Sequence, residues 1–404
     1  MGIVSSWCFR LLMRFLFIMV IASLAVKIHS INWVSDSPER AYDLSRVERI
    51  HVMIIICLEQ DPGIMEEEQK RNLQLVQAVT LLKTVAIFSS RPITVHIAHN
   101  NLNIFEQMKN AVSKFEKGDF MRLNSVSIEY PPGLDDMMHA YKICATASLF
   151  LHELLPEVDA GIFLDTDVIL MGDPAQLWDR FQLFTPFTSL ALATVDKEYS
   201  FKKPNNRHLY YGLPQNGLNS GVVLMNLTRL RALPGGGFTG TVRAIWDEHE
   251  ESVPYGDQDI LNILGWQSPY LFQPLPCEWN FLPIFQCWRL PVTVDEHQHP
   301  TSNAFWRKSC PPADHQGIAL LHGADRAFRR LGVISAVFKF WTKQEVKSWD
   351  AVKGLAELEA TVETAVQRRL EERVTHPQSC GHVPGFADML LLRLRKIAND
   401  SFLT

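Results

Sequence analysis

Residues 50–58 read IHVMIIICL, an apolar run with almost no polar interruption. A strand wetted on one face alternates polar and apolar residues. One that cannot alternate has to be covered on both faces. Such runs return at 93–98 (ITVHIA) and 161–170 (GIFLDTDVIL), and the apolar spacing between them is helical over 65–85 and 103–115. A weaker strand at 123–128, a helix over 139–155, strands at 190–194 and 221–226 and a helix over 258–264 continue the series. Strands alternating with helices of this length predict an α/β fold, with a mostly parallel sheet and helices on both faces. In such sheets ligands gather beyond the carboxyl ends of the strands. A charged helical stretch over 346–373 follows, and no internal repeat is visible.

With 404 residues, 47% of them hydrophobic and 21% charged, the chain can bury a sizeable core. Thirty-nine basic residues against 44 acidic ones, without a block of like charge, exclude a nucleic-acid partner held by bulk electrostatics. Residues 15–26 (FLFIMVIASLAV) carry no charge and follow Arg10 and Arg14. Twelve residues fall short of the roughly 20 that cross a bilayer, but Leu11, Leu12 and Met13 extend the run if Arg14 snorkels. We read 1–27 as a cytoplasmic tail and signal anchor, with a cleaved signal peptide as the rival because Ser23-Leu24-Ala25 suits cleavage. Residues 28–47 read as a stem, 48–345 as the working domain and 346–404 as a helical extension. Everything after the anchor then lies in the lumen of the secretory pathway, in the Golgi or endoplasmic reticulum. Sequons at Asn226 and Asn399 and six cysteines (Cys57, Cys144, Cys277, Cys287, Cys310 and Cys380) agree with that compartment. Six cysteines allow fifteen pairings, and sequence does not choose among them. No Cys-x-x-Cys pair supports a zinc site.

The chemistry concentrates in four places. Asp165-Thr166-Asp167 interrupts an apolar strand, and a period of two sends both carboxylates to one side. Buried carboxylates are costly unless paired or metal-bound, and they suit Mn²⁺, or Mg²⁺, with open positions for diphosphate oxygens. One aspartate as a mere helix cap is the plainer alternative. His322, closing the apolar run Leu320-Leu321 before Gly323, offers an imidazole as third ligand, against the commoner buried core histidine. Arg326 and Arg329 follow at a distance suited to phosphate. Asn219-Ser220-Gly221 places an amide and small residues at the start of a strand, where a plain turn is the alternative. In Gly256-Asp257-Gln258-Asp259, Asp257 suits a helix N-cap, whereas Gln258 could touch a reacting sugar without adding charge.

In order and spacing, FLDTDVIL, NSGVVLMN, GDQDILN and LLHG resemble glycosyltransferase family 8. Tyr210-Tyr211-Gly212, residues 219–229 and 255–262, and Cys277-Glu278-Trp279-Asn280 narrow the resemblance to the animal glucoside xylosyltransferases, over roughly residues 48–345. The resemblance implies a GT-A fold and a retaining Mn²⁺-dependent transfer of α-xylose. The donor would be UDP-xylose and the acceptor O-linked glucose on EGF-like repeats of Notch-type proteins. A related UDP-glucose or UDP-galactose transferase is the runner-up. Carried over, Asp165, Asp167 and His322 are the metal ligands. Asn219, Asp257 and Gln258 contact the donor sugar. Thr166, Ser220, Gly221 and Gly323 are further candidate donor-binding residues, as is Arg326, placed to meet a diphosphate. The backbone at Ile56, Cys57 and Leu58 holds the uracil.

Two departures stand out. Ser148 occupies the place of a donor-gripping arginine, leaving Lys142 to compensate without a bidentate fork, and His152 replaces a proline. These departures motivate a second class of function, a lumenal sugar-binding relative with impaired catalysis. Trp279, ahead of Trp266 and Trp306, is the expected acceptor platform.

Overall fold

The computed structural model describes residues 49–401, apart from 58–64, 142–143, 197–215, 251–252, 254–255, 284–286, 292–302, 308–309, 325, 331, 372–379, 381–382 and 384. The expected anchor and stem, Leu58, Lys142 and Tyr210-Tyr211-Gly212 lie outside the described residues.

Seven strands form the main sheet: β1 (Ile50–Ile56), β2 (Ile93–His99), β3 (Met121–Ser127), β4 (Ala160–Leu164), β6 (Leu190–Asp196), β7 (Asn216–Asn226) and β8 (Phe272–Leu275). Their order is β3-β2-β1-β4-β7-β6-β8. The pairs β1–β2, β2–β3, β1–β4 and β6–β8 are parallel, and β7 runs antiparallel to both β4 and β6. The sheet is mostly parallel, as the alternation predicts. β1 earns its place near the centre through its unbroken apolar run: Val52, Met53 and Ile54 are fully buried. At the edge, β3 buries only Met121 and Val126, which is why its sequence signal is weak.

The helices, in chain order, are α1 (Met65–Phe88), α2 (Leu102–Ser113), α3 (Asp135–Tyr141), α4 (Leu151–Leu154), α5 (Pro174–Trp178), α6 (Leu227–Arg231), α7 (Gly237–His249), α8 (Asp257–Gln267), α9 (Pro311–Gln316), α10 (Ala327–Arg330), α11 (Gly332–Lys343), α12 (Ala351–Glu371) and α13 (Phe386–Ser401). Asn101 caps α2 by accepting from the Asn103 N–H at 2.9 Å, and Ile104, Met108 and Val112, four residues apart, bury its inner face. The fully buried tryptophans Trp178, Trp246, Trp279 and Trp341 each contribute roughly 4–6 kcal/mol of transfer free energy, on a basis of 150–250 Å² per aromatic. α12 packs against both α11 and α13.

Three expectations change. The run 161–170 is two strands, not one. β4 ends at Leu164, residues 165–167 turn, and β5 (Val168–Leu170) leaves the main sheet to pair antiparallel with β11 (Leu320–His322), His322 opposite Val168. Helix 139–155 is broken into α3, a 3-10 turn at Ala147–Phe150 and α4. Cys144 is disulfide-bonded to Cys57 at the end of β1, and Tyr130 bonds the Thr146 hydroxyl at 2.8 Å, so the segment between the helices is committed to tertiary partners. The strand expected at 221–226 begins at Asn216, so Asn219 and Ser220 lie within β7 rather than in a turn before it. A second disulfide joins Cys277 and Cys310, and Cys380 is also disulfide-bonded. β9 (Cys287–Pro291) and β10 (Asn303–Arg307) form a hairpin with Trp288 opposite Trp306.

Candidate active site

The turn after β4 and the end of β11 bring Asp165, Asp167 and His322 together across 157 residues of sequence. His322 Nε2 lies 3.6 Å from Asp165 Oδ2 and 3.4 Å from Asp167 Oδ1. One ligand atom from each of the three residues falls within 4.8 Å of the others. The convergence comes from the turn and from the β5–β11 pairing rather than from strand alternation, since neither aspartate is in a strand. Thr166 sits between them, half-buried. The Gly323 N–H donates to the Asp167 main-chain oxygen at 2.7 Å and closes the turn.

Two glycines are required by close approach. A Cβ on Gly221 would stand 2.2 Å from His322 Cε1 and 2.7 Å from Asp165 Oδ2. A Cβ on Gly323 would stand 2.4 Å from the Phe328 ring. Both sequence-selected glycines are therefore there to let other atoms in.

The electrostatics follow from crowding. Asp165 keeps 43% of its side-chain surface open, but Asp167, His322 and Asp257 stand close around it. Loss of solvation, then the like charge of Asp167, push its carboxyl up to about 6, with His322 opposing. Burial alone would pull the His322 imidazole down, yet the hydrogen bond and charge of Asp167, with the charge of Asp165, raise it overall. Two carboxylates and an imidazole converging in this way fit a hard divalent cation. The zinc alternative at Cys277, Glu278 and Cys310 is answered by the disulfide between its two cysteines.

A second cluster lies beside the first. Asp257 is the first residue of α8, with Gly256 as its N-cap, so it does not cap the helix. Its carboxylate instead accepts from Ser148 Oγ at 2.8 Å and Ser220 Oγ at 3.4 Å. Burial and the charge of Asp165 push it up to about 7, against the opposing bonds from Ser148, the Gln258 main chain and Ser220. Ser148, at the position where the family resemblance expects an arginine, is buried. Asn219 Nδ2 donates to Gln258 Oε1 at 2.9 Å. Asn262 seats α8 on β7: its Oδ1 accepts from the Leu218 N–H at 2.6 Å, and its Nδ2 donates to the Leu218 oxygen at 2.9 Å.

The remaining expectations separate. Cys57 is buried at the carboxyl end of β1 and tied to Cys144, so the expected uracil wall is cross-linked to the segment leading to Ser148. Arg326 is exposed and held at a positive φ of 64° in the turn before α10. Trp279 is corrected: it is 2% exposed, beneath the Arg393 guanidinium at 5.5 Å from its ring centre, and presents no platform. Trp266, on α8, is 45% exposed. His152 is buried among Thr239, Glu153 and Phe238 and lies outside the site.

Asn280 is the residue that sequence reasoning missed. Its Oδ1 lies 2.8 Å from His322 Nδ1, and its Nδ2 donates to Asn219 Oδ1 at 2.7 Å. It stood inside the Cys277-Glu278-Trp279-Asn280 motif, yet nothing in that motif reveals where an asparagine side chain will turn.

The family model of glycosyl transferase family 8 matches residues 65–307, more than half of the chain. The chain belongs to glycosyl transferase family 8. This family 8 chain is 27% identical to glucoside xylosyltransferase 1 of Gallus gallus over 287 residues, 68% of this chain and 58% of that protein. It is 28% identical to glucoside xylosyltransferase 2 of Xenopus laevis over 285 residues, 66% and 62% of the two chains. The matched region thus spans about 60% of the length of these relatives. In fold, the family 8 chain is similar to the galactosyltransferase LgtC, whose crystal structure holds donor and acceptor sugar analogues. The TM-score is 0.51 at 16% identity, over 76% of this chain and 99% of that one. The fold is that of the GT-A glycosyltransferases.

Proposed function

We propose that this chain is a retaining, Mn²⁺-dependent transferase that moves α-xylose from UDP-xylose to O-linked glucose on EGF-like repeats of lumenal or secreted proteins. The observation that carries the reading is the convergence of Asp165, Asp167 and His322 beside Gln258 and Asp257, at the carboxyl ends of the strands. The relatives named glucoside xylosyltransferases support xylose as the sugar and a glucoside as the acceptor.

Asp165, Asp167 and His322 would hold the cation, which supplies Lewis-acid neutralisation of charge on the departing diphosphate. Asn219, Ser220 and Gly221 line the donor side of β7, where Gly221 leaves room for atoms that a side chain would displace. An acceptor hydroxyl attacks the anomeric carbon as the bond to the diphosphate breaks, and the leaving phosphate oxygen takes the proton. Retention follows if attack and departure share one face. Gln258 is an amide and a poor nucleophile, which disfavours a covalent sugar intermediate on it. Trp266, about 12 Å along α8 from Gln258, replaces Trp279 as the acceptor platform. The disulfides Cys57–Cys144 and Cys277–Cys310 support a lumenal location, reached by the anchor at residues 1–27 in type II orientation.

A screen of UDP release with UDP-xylose, UDP-glucose and UDP-galactose, with and without Mn²⁺ and a glucosylated EGF repeat, tests this. UDP-xylose should turn over fastest, and only with Mn²⁺. Asp165→Ala or Asp167→Ala should lower the rate about 10³-fold, the loss of several kcal/mol of charge stabilisation. Normal turnover by those variants would sink the assignment. Ser148, a hydroxyl on Asp257 where the resemblance expects a guanidinium, favours a second reading as a sugar-binding relative with impaired catalysis. Binding of UDP without turnover of any donor would select it.

A further inference from the structure

Three side-chain amides and one imidazole form a continuous chain, and one main-chain group sets its direction. The Gly221 N–H can only donate, and it donates to Asn219 Oδ1 at 3.1 Å. Asn219 therefore presents its Nδ2 to the other side, where Gln258 Oε1 accepts it at 2.9 Å. The same Asn219 Oδ1 also faces Asn280 at 2.7 Å, so the Asn280 atom there must be the donor, Nδ2. That turns Asn280 Oδ1 toward His322 Nδ1 at 2.8 Å. An oxygen without a proton requires Nδ1 to carry the hydrogen, which leaves the lone pair of neutral His322 on Nε2, the nitrogen facing Asp165 and Asp167. With Oε1 engaged, Gln258 has its Nε2 hydrogens left to offer a substrate.

Asn280 is held hard. It follows the 3-10 turn Cys277–Trp279, and its N–H donates to the Cys277 oxygen at 3.2 Å. That turn is pinned by the Cys277–Cys310 disulfide, by Glu278 facing Arg180 at 3.7 Å and by Trp279 under Arg393. Asn280 itself is 2% exposed, and its side chain hydrogen-bonds both His322 and Asn219.

We infer that Asn280 is a positioning residue: it fixes the metal-facing form of His322 and, as the second donor to Asn219 Oδ1 beside Gly221, holds in place the amide that faces Gln258. The inference rests on the metal-site reading above. Partners behind a ligating histidine typically carry 10–100-fold in metal affinity.

The first test needs no variant. With [¹⁵N]histidine labelling, at a pH above the point where the His322 signal itself stops titrating, that signal, assigned by its loss in His322→Gln, should show the proton on Nδ1. A proton on Nε2 overturns the proposal whether or not the protein binds metal. The second test titrates Mn²⁺ by electron paramagnetic resonance. Asn280→Ala should bind about 10–100-fold more weakly than the parent protein. Asn280→Asp keeps an acceptor for His322 but has no donor for Asn219. It should bind Mn²⁺ closer to the parent and still lose kcat, with donor KM little changed. If Asn280→Ala does not fold, the Asn280→Asp variant and the wild-type spectrum decide. Equal Mn²⁺ affinity in parent and Asn280→Ala overturns the proposal. Failure of the parent to bind Mn²⁺ instead overturns the metal-site reading, and the tautomer then decides the relay on its own.

Discussion

One methyl group measures how tightly the site is built. Gly221→Ala would place a carbon 2.2 Å from His322 Cε1, closer than real contacts allow, so the imidazole must move. We expect Gly221→Ala to lose at least about 10²-fold in Mn²⁺ affinity and activity while melting within a few degrees of the parent, read by Mn²⁺ titration and calorimetry; a loss of this size matches displacement of a supporting contact at a ligand. At this scale the sequence was informative where chemistry is expensive. Asp165 and Asp167 break an apolar run, and such a break demands a partner, so they could be picked out without a structure. His322 could be picked out by the apolar strand that it ends. Asn280 could not, because an amide is cheap anywhere and its value depends on what the fold sets opposite it. Trp279 was misjudged for a related reason: a tryptophan in a stretch rich in proline and tryptophan reads the same whether it lines a cleft or fills a core.

Among the elements, the turn at 277–279 carries more than its length suggests. The Cys277–Cys310 bridge closes a separation of 33 residues, which chain entropy values at about 4 kcal/mol. Replacing both cysteines by serine should lower Tm clearly and weaken Mn²⁺ binding as well, since Asn280 follows the turn. A Tm drop with unchanged metal affinity would separate the bridge from the site. The two sequons also part here. Asn226 is buried and caps α6, its Oδ1 accepting from the Arg229 N–H at 2.9 Å, whereas Asn399 is exposed near the end of α13. Protein made in a secretory host should lose its N-glycan, seen as a gel shift after amidase treatment, in Asn399→Gln and not in Asn226→Gln. Asn226→Ala should cost about 1 kcal/mol as a lost cap. Helix and strand positions were largely legible because burial repeats with a period. The break at 144–146 was not, since a disulfide leaves the local pattern of apolar residues intact, and at 165–167 the two aspartates interrupt the run without revealing that the next strand joins another sheet.

For the molecule as a whole, the proposed metal site would set protons against a divalent cation. Asp165 and Asp257 sit at about 6 and about 7, above the ordinary 3.8, so the native state holds protons more tightly than the unfolded chain. Their contribution to stability is full below about pH 4 and declines as pH rises toward 7. Mn²⁺ bound as proposed would require ionised Asp165, so the gain in Tm on adding Mn²⁺ should grow between pH 5 and pH 7.5. A gain that does not vary with pH would contradict this account. The α/β class and mostly parallel sheet were legible from alternation alone, whereas the direction of β7 was not, because strand direction leaves no trace in hydrophobicity. The antiparallel pairing of β5 with β11 also has a consequence in time. During synthesis the two aspartates leave the ribosome long before His322, which follows 157 residues later, a delay of roughly 8–30 s at ordinary translation rates. A nascent or truncated chain lacking β11 would hold two of the proposed ligands and no third, so the proposed cation would be captured only once β11, the last strand among the described residues, has been made.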